Sequence, residues 1–302
     1  MFDVIIVGGS NAGLSAALVL GRSRRRTLVI DHDQPRNAPS PAVHSFFSRD
    51  GTPPSELRRI GREQLRPYES VEFAVGEVVA VRRSSSGFDV TLRDGTQHAA
   101  RKLLLATGVH DELPAIEGLA ERWGKSVLHC PYCHGWEVRD HPLAVYGPSE
   151  IGVEFALTVR GWSDDVVLCT DGSPSFDDEQ RQRLARHNIA IRDERIRRLE
   201  GPGDALEQIV FESGEALPRH ALFMRAIQRQ RSDIADQLGC EMEQPMPGVT
   251  TIKVDAMGKT SVPGVYAAGD AATMLQQAIV AAADGAMAAI GLNHELLQED
   301  FA

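Results

Sequence analysis

The segment near the N-terminus reads Val4-Ile5-Ile6-Val7-Gly8-Gly9-Ser10-Asn11-Ala12-Gly13, an apolar run that leads into a glycine-rich turn. The apolar run predicts a strand buried on both faces, and residues 14–20 predict a helix. A second apolar strand, residues 27–30, ends at Asp31. A strand, a glycine turn, a helix and a second strand ending in an acid together form a dinucleotide-binding unit. We therefore expect an α/β fold of the Rossmann type.

The small residues of this turn have defined roles in such a unit. Gly8 permits the tight turn and Gly13 permits close packing of the helix, while a pyrophosphate would rest on the helix N-terminus. Asp31 is placed to accept a hydrogen bond from a ribose hydroxyl. Ser10 replaces the middle glycine, which we expect a small residue to tolerate. The alternative is a plain βαβ turn, but the order of the elements favours a dinucleotide site.

A second motif is His129-Cys130-Pro131-Tyr132-Cys133-His134-Gly135-Trp136-Glu137. Two cysteines at this spacing can alternate between dithiol and disulfide, and such loops lower the pKa of one thiol. A neighbouring imidazole favours the thiolate when charged and accepts its proton when neutral. A structural zinc site needs four ligands, and Cys169 and Cys240 each stand alone, so we expect no metal. The motif predicts a redox-active disulfide, with an inert buried pair as the other alternative.

Composition narrows the class of protein. The chain has 302 residues, of which 42% are hydrophobic, and a net charge of −10, so neither nucleic acid nor an anionic membrane is the expected partner. Four cysteines do not form a disulfide framework in a chain of this length. The sequence shows neither a signal-peptide pattern nor an apolar run of about 18 residues. We expect a cytoplasmic protein, in which a Cys-X-X-Cys motif is more often catalytic than structural.

After the cysteine motif the dinucleotide-binding pattern returns. Residues 143–146 predict a strand, Gly147-Pro148-Ser149-Glu150-Ile151-Gly152 a turn, and the following residues a helix and a strand that ends at Cys169. This pattern indicates a second Rossmann-like unit inserted into the first. Further predictions are a helix over 55–68, strands over 71–81, 87–93, 102–105, 189–199, 206–211 and 264–270, and a helix of small residues that begins near Gln277. Such a helix suits either close approach of a flat ligand or an ordinary core.

Taken together, the chain resembles the low-molecular-weight thioredoxin reductase family. The matching elements follow the family's order over nearly the whole chain: the Gly8–Gly13 turn, Ala106-Thr107-Gly108, the Cys-X-X-Cys motif, the second Rossmann unit, Tyr266-Ala267-Ala268-Gly269-Asp270 and Gln277-Ala278. The resemblance implies an FAD enzyme, usually a homodimer, whose inserted pyridine-nucleotide-type domain contains the disulfide. It implies an FAD domain of residues 1–113 and 248–302, and an inserted domain of residues 114–247.

The resemblance also implies which residues do what. In the family the second cysteine, here Cys133, faces the flavin, and the first, here Cys130, attacks the substrate. The family places Asp270 on the flavin ribityl chain and Gln277-Ala278 beside the isoalloxazine. The residues assigned to FAD are Gly8, Ser10, Ala12, Gly13, Asp31, Asn37, Val79, Ala106, Thr107, Gly108, Gly269, Asp270, Gln277 and Ala278.

One departure from the reductases concerns the acid/base group. The reductases have an aspartate after the second cysteine, whereas this chain has His134. Cys-Pro-Tyr-Cys-His-Gly looks more like the dithiol oxidases of disulfide-containing natural products, the gliotoxin and holomycin type. Imidazole exchanges protons near neutrality, with an unperturbed pKa of about 6.5. We expect His134, rather than His129, to be the acid/base residue.

Another departure concerns the inserted domain. NADPH-using members have a basic cluster after the strand that follows the turn, and it pairs with the 2′-phosphate. Here Pro148 offers no N–H, Ser149 replaces the second glycine, and residues 169–174 contain no Arg or Lys. Asp171 would repel a phosphate, although it could bind a ribose hydroxyl of NADH. We expect no use of NADPH, and the resemblance also offers relatives that use ferredoxin or hold a second FAD here.

The sequence thus predicts an FAD-dependent disulfide/dithiol oxidoreductase. Electrons would pass between a thiol substrate, the Cys130–Cys133 pair and the flavin. The substrate would be a small molecule or a thioredoxin-like protein, and the far redox partner would be oxygen, ferredoxin or a second flavin. The alternatives are an NAD(P)H-dependent reductase of thioredoxin or a small disulfide, and a non-catalytic flavoprotein redox sensor.

Overall fold

The computed structural model describes residues 1–302, and the chain forms two compact units. The first unit comprises Met1–Ala38, Phe46–Asp111 and Gln228–Ala302, and the second comprises Pro39–Ser45 and Glu112–Ile227. No helix combines the length and the apolar composition that crossing a membrane requires.

The return of the chain to the first unit lies earlier than the sequence pattern suggests. The family resemblance implies that the chain returns to this unit at residue 248, whereas the first unit resumes at Gln228. The intervening residues belong there because Ile234, Ala235 and Cys240 are buried in the apolar core of the first unit. The short segment Pro39–Ser45, which precedes the rest of the second unit by many residues, also groups with that unit.

The strands and helices follow the predicted order, with two predicted strands divided in two. The strands are β1 Phe2–Val7, β2 Thr27–Asp31, β3 Val71–Val75, β4 Val78–Ser84, β5 Gly87–Leu92, β6 Gln97–Leu105, β7 Val109–Glu112, β8 Val127–Leu128, β9 Leu143–Tyr146, β10 Val166–Cys169, β11 Ala190–Arg192, β12 Ile196–Glu200, β13 Gln208–Phe211, β14 Ala216–Pro218, β15 Ala221–Met224, β16 Ile227–Gln230, β17 Met242–Met246, β18 Val249–Ile252 and β19 Val265–Ala267. The helices are α1 Asn11–Arg22, α2 Pro54–Leu65, α3 Leu119–Arg122, α4 Pro131–His134, α5 Glu150–Val159, α6 Asp178–Arg186, α7 Ile234–Leu238 and α8 Ala278–Asp300.

The main sheet of the first unit has Rossmann topology. Its strand order is β3-β2-β1-β6-β5-β4, and β19 also pairs with β6. Strands β3, β2, β1, β6 and β19 pair in parallel, whereas β4 and β5 form an antiparallel extension on β6. Helix α1 connects β1 to β2, as in a βαβ unit. The predicted fold of this unit is confirmed.

The second unit contains a parallel sheet of its own. Its order is β11-β10-β9-β15-β8, and α5 and α6 connect β9 to β10 and β10 to β11. Val145, Val153, Leu168 and Phe223 are among the residues of the apolar core around this sheet. An antiparallel sheet of β12, β13 and β14 completes the unit. The second predicted Rossmann-like unit is therefore also present.

Helix α8 packs against α1 through small residues. A Cβ on Gly285 would lie 2.0 Å from the carbonyl oxygen of Ala12, so only glycine allows this approach. Ala281 and Ala288 are buried in the same cluster. The sequence leaves open whether the small residues of α8 allow a flat ligand to approach or form an ordinary core. Several of them serve helix–helix packing.

A charged cluster attaches the other half of α8 to the sheet. Glu295 accepts hydrogen bonds from Lys102 Nζ at 2.7 Å, Lys259 Nζ at 2.9 Å and Tyr266 Oη at 2.8 Å. Burial acts to raise the pKa of Glu295, but these hydrogen bonds outweigh burial and lower the pKa to about 2. The folded state therefore favours the charged carboxylate more strongly than the unfolded chain does.

We expect Glu295→Gln to lower the free energy of unfolding at neutral pH. Because the pKa of Glu295 is lowered on folding, its contribution is present above the unfolded value of about 4.3 and is lost as pH falls toward 2. Urea unfolding at pH 7, 5, 4 and 3 should therefore show a deficit that shrinks with decreasing pH. Glu241→Gln, which disrupts the exposed pair with Lys253, is the control and should change little. A deficit independent of pH would contradict this account.

Candidate functional site

The carboxyl ends of four parallel strands bring most of the predicted FAD residues together in the first unit. Val7 of β1 pairs with Ile30 of β2 and Leu105 of β6, and Leu105 pairs with Ala267 of β19. These strands therefore end at one level of the sheet. The segments at their ends are Gly8–Gly13, Asp31, Ala106-Thr107-Gly108 and Ala268-Gly269-Asp270. Ligands of open α/β sheets bind at this edge.

The turn between β1 and α1 is too closely packed for side chains at its glycines. A Cβ on Gly8, which has a φ of +110°, would lie 2.2 Å from Ala106 O, and one on Gly13 would lie 1.9 Å from Gly8 O. Ser10 is the N-cap of α1, and its side chain makes no capping hydrogen bond. The first N–H groups of α1 have no acceptor within the helix, so they suit the pyrophosphate of a dinucleotide.

Asp31 lies directly beside this turn. A Cβ on Gly9 would meet the Asp31 side chain at 2.9 Å, and Arg62 Nη2 donates to Asp31 Oδ2 at 2.8 Å. A ribose hydroxyl bound here would therefore share the carboxylate with Arg62, which the sequence did not indicate. The Gly76 N–H donates to the Asp31 carbonyl oxygen at 3.0 Å, so the chain passes this site shortly before Val79 on β4.

A partly buried arginine, which sequence reasoning missed, forms a hydrogen bond with Asp270. Arg36 donates through Nε and Nη2 to Asp111 at 2.8 and 2.7 Å, and through Nη1 to Asp270 Oδ2 at 3.0 Å and Gln276 Oε1 at 2.5 Å. Burial acts to lower the pKa of Arg36, but the contacts with Asp111 and Asp270 outweigh it and raise the pKa. Arg36 therefore stays charged and offsets only part of the effect of burial on Asp270, whose pKa is raised.

The remaining predicted FAD residues lie near this cluster in the chain. Asn37 follows Arg36 and is partly buried. Gln277 is the N-cap of α8 without a side-chain capping bond, and Ala278 is the first residue of that helix. Gly269 has a φ of +72°, and a Cβ there would lie 3.0 Å from the Ala12 side chain. Gly269, in the C-terminal part of the predicted site, therefore packs against Ala12 of the glycine turn.

The two cysteines of the motif form a disulfide in the second unit. Cys130 and Cys133 have Cα atoms 5.2 Å apart, within the normal range for a disulfide. Cys130 precedes the short helix α4, and Cys133 lies within it. A Cβ on Gly135 would meet Pro131 O at 2.4 Å and the Trp162 ring at 2.7 Å, so the loop needs glycine there. Both cysteines are partly exposed, as a redox-active pair requires.

His134 is surrounded by polar groups of the second unit. Its ring lies at 90° to the His44 ring with centroids 5.8 Å apart, and His44 Nε2 lies 3.5 Å from Glu137 Oε1. Ser40 Oγ donates to Ala42 O at 2.7 Å and lies 3.4 Å from His134 Nε2. Because the Ser40 proton points to Ala42, the serine oxygen can accept from the Nε2–H of His134.

Burial and the nearby His44 lower the pKa of His134, while Glu137 acts in the opposite direction. His129, on the other side of the disulfide, instead packs near Trp123 with ring centroids 6.0 Å apart. The sequence did not indicate His44, because it lies in an irregular loop ninety residues before His134. The structure thus gives His134 a set of polar partners next to the disulfide.

Aromatic side chains lie beside the disulfide. Tyr132, between the two cysteines, and Trp136 are each 65% exposed. The Tyr132 ring meets Trp162 edge-on at 5.3 Å, and the Arg139 guanidinium lies 3.8 Å from the centroid of Trp136. These rings offer apolar surface next to the sulfurs.

The turn after β9 repeats the glycine packing of the turn after β1. A Cβ on Gly152 would lie 2.5 Å from Gly147 O, and Ser149 is the N-cap of α5 without a side-chain capping bond. Ser10 has the same place in the first unit. Ser149 is therefore no evidence against a bound dinucleotide, although the sequence pattern suggests that it is. Pro148, which lacks an N–H, remains a difference.

The residues after β10 cover this second turn and engage their own polar groups. Ser175 donates through N and Oγ to Pro148 O at 2.7 and 3.2 Å. Asp171 accepts from Ile196 N at 2.7 Å and from Tyr146 Oη at 3.2 Å. Burial, reinforced by Asp171, raises the pKa of Tyr146 to about 12. Both oxygens of Asp171 already accept protein hydrogen bonds, so a ribose hydroxyl of NADH would share this carboxylate, as a ribose at Asp31 would share that one with Arg62.

Comparison with known proteins agrees with this fold. The model of the pyridine nucleotide-disulphide oxidoreductase family matches residues 2–285. The chain is 31% identical to thioredoxin reductase sirT of Leptosphaeria maculans, over 100% of this chain and 96% of that protein. The crystal structure of HlmI superposes with a TM-score of 0.93 at 40% identity, covering 99% and 93% of the two chains. The putative thioredoxin reductase TrxB of Bacillus anthracis gives 0.93 at 34% identity, covering 100% of each chain.

The chain belongs to the pyridine nucleotide-disulphide oxidoreductase family, and within it to the thioredoxin-reductase-like proteins. It is an FAD-binding oxidoreductase that acts on sulfur groups. The glycine turn after β1, the open N-terminus of α1 and Asp31 fit the dinucleotide part of FAD. The resemblance on which the sequence argument rested is confirmed.

Proposed function

We propose that the protein exchanges electrons between a dithiol substrate and FAD through Cys130 and Cys133, without NADPH. The observation that supports this proposal is the disulfide itself, followed directly by a histidine with polar partners. The aromatic surface of Tyr132 and Trp136 suits a small organic dithiol. On the resemblance we also propose a homodimer, and on the small number of cysteines, too few for a disulfide framework, a location in the cytoplasm.

In the proposed oxidation, one substrate thiolate attacks Cys130 Sγ and breaks the bond to Cys133, which leaves as a thiolate. The second substrate thiol loses its proton and attacks the substrate sulfur of this mixed disulfide. Cys130 leaves as the second thiolate, and the substrate departs as a disulfide. The substrate has then lost two electrons and two protons, and the enzyme pair has gained the electrons. Bound FAD supplies the capacity to take up this electron pair and restore the disulfide.

His134 is the residue we assign to proton transfer in these steps. It follows Cys133 directly, at the position that aspartate occupies in the reductases. Ser40 holds one ring nitrogen through the hydroxyl oxygen, which leaves the other nitrogen to exchange a proton with a thiol. A carboxylate has no N–H to donate to Ser40, so an aspartate at this position could not be oriented in this way.

Several contacts argue against NADPH as the electron donor. Pro148 offers no N–H at the turn, and Ser175 occupies its carbonyl oxygen. The first cationic residue after β10 is Arg181, whose guanidinium lies over the Phe176 ring at 5.3 Å. Arg192, at the end of β11, is paired with Glu194 and Glu215 at 2.7 and 2.6 Å. A 2′-phosphate bound here would therefore meet Asp171, with no Arg or Lys among residues 170–180 to pair with it.

We expect NADPH to bind with a Kd in the millimolar range, about −4 kcal/mol. An anaerobic titration of the FAD-loaded protein, followed by flavin absorbance, should show reduction by a dithiol but not by NADPH or NADH. Flavin content should be measured with it, since a second FAD is an alternative occupant of the second unit. Micromolar NADPH affinity with rapid flavin reduction would contradict the proposal.

The second candidate function is an NAD(P)H-dependent reductase of thioredoxin or a small disulfide, because several relatives are named thioredoxin reductase. Flavin reduction by NADPH together with reduction of a thioredoxin-like protein would support it. A bound flavin that no dithiol reduces would instead support a redox sensor. The same titration therefore separates all three functions.

A further inference from the structure

Three metal-ligating side chains meet within the second unit. The ligand atoms of His44, His134 and Glu137 all lie within 4.8 Å of one another. His44 comes from the segment Pro39–Ser45, and the other two come from the cysteine motif. His44 and His134 are partly buried, and Glu137 is exposed. The cluster is therefore accessible from solvent on its carboxylate side.

Two imidazole nitrogens and one carboxylate oxygen form a donor set that binds zinc while leaving a fourth position open. In a tetrahedral site with bonds of about 2.0–2.2 Å, neighbouring ligand atoms lie about 3.3–3.6 Å apart. His44 Nε2 and Glu137 Oε1 are already 3.5 Å apart. The remaining separations can close by small rotations of the side chains.

We propose that His44, His134 and Glu137 form a binding site for Zn²⁺. The sequence predicts no metal, because its cysteines do not form a four-ligand cage and His44 is remote from His134 and Glu137 in the chain. Metal-bound histidines usually donate their other ring N–H to an acceptor that fixes the ring. Ser40 Oγ, 3.4 Å from His134 Nε2, is placed as such an acceptor because its own proton goes to Ala42 O.

Zinc at this site inhibits the enzyme, because a nitrogen of His134 that binds the ion cannot accept a proton from a thiol. This consequence rests on the proposed function. Binding itself does not, since it requires only the oxidised protein and no turnover. A failure of zinc binding is thus distinguishable from a failure of the proposed redox function.

The test uses the oxidised, FAD-loaded protein and Zn²⁺ alone, in competition with a chromophoric chelator. We expect one ion per chain. His44→Ala and Glu137→Gln should each lower the affinity at least about tenfold, the lower end of the loss seen when even a supporting partner is removed. His141→Ala is the control, because His141 stacks on His220 at 4.1 Å as another histidine pair of this unit, and it should leave the affinity unchanged.

X-ray absorption of the zinc in the unmodified protein gives a second measurement that does not depend on the folding of any variant. We expect nitrogen and oxygen ligands at about 2.0–2.1 Å and no sulfur at about 2.3 Å. Sulfur in the shell, loss of binding in His141→Ala, equal affinity in His44→Ala and the unmodified protein, or no saturable binding would each overturn the proposal.

Discussion

Cys133→Ser is expected to reduce dithiol turnover to the uncatalysed rate while leaving Cys130 able to form a stable mixed disulfide. Turnover is lost because a single cysteine cannot store the electron pair as a disulfide and dithiol. The mixed disulfide persists because the sulfur that would displace the bound thiol is absent. Cys130→Ser should also abolish turnover, but Cys133 should react much more slowly with a disulfide reagent. Mass spectrometry after exposure to an aromatic disulfide measures both reactions.

Cys169→Ala is the control for these variants. The Cys169 side chain is fully buried, and burial raises the pKa of its thiol to about 12. It should neither label nor contribute to turnover, so the control variant should behave like the unmodified protein. Rapid labelling of Cys133 in Cys130→Ser, with no labelling of Cys130 in Cys133→Ser, would reverse the assigned roles.

Replacing His134 with alanine is expected to slow the thiol exchange steps by about 10²–10⁴-fold, the usual loss for an acid/base group. His134→Asp, which restores the residue of the reductases, should retain part of the activity. His129→Ala is the matched control on the other side of the disulfide, and its effect should be much smaller because that ring packs near Trp123. Stopped-flow rates of dithiol oxidation at fixed pH measure these changes. Equal rates for His134→Ala and the unmodified protein would limit His134 to packing.

The fold could be predicted well because the patterns that indicate it are each formed by residues that are adjacent in the sequence. The apolar run before Gly8, the acid at Asp31 and the adjacent cysteines are all legible within a few residues. The predicted strand over 71–81 divides after Val75, because β3 pairs with β2 whereas β4 pairs with β5. That division depends on pairing with other strands, so no local pattern could show it.

The parts of the site that depend on distant contacts could not be predicted. Arg36 contacts Asp111 and Asp270, and His44 contacts His134 and Glu137. Both residues lie in the one irregular segment between β2 and α2, which has no periodicity or motif that marks them. Ser149 shows the opposite error. Its departure from the glycine motif suggested that no dinucleotide binds, but Ser10 has the same place at the N-terminus of α1 in the first unit.

The close packing of Gly285 on Ala12 has a consequence for how the chain acquires its structure during synthesis. All residues of the second unit have been made once Ile227 has been added, whereas β19 and α8 of the first unit come last. The apolar cluster around α1 includes Leu292 and Leu296 of α8, so it stays incomplete until α8 has been synthesised. Nascent chains with exposed apolar surface are prone to aggregate. Translation through α8, rather than completion of either motif, thus sets the moment at which the cofactor site can form.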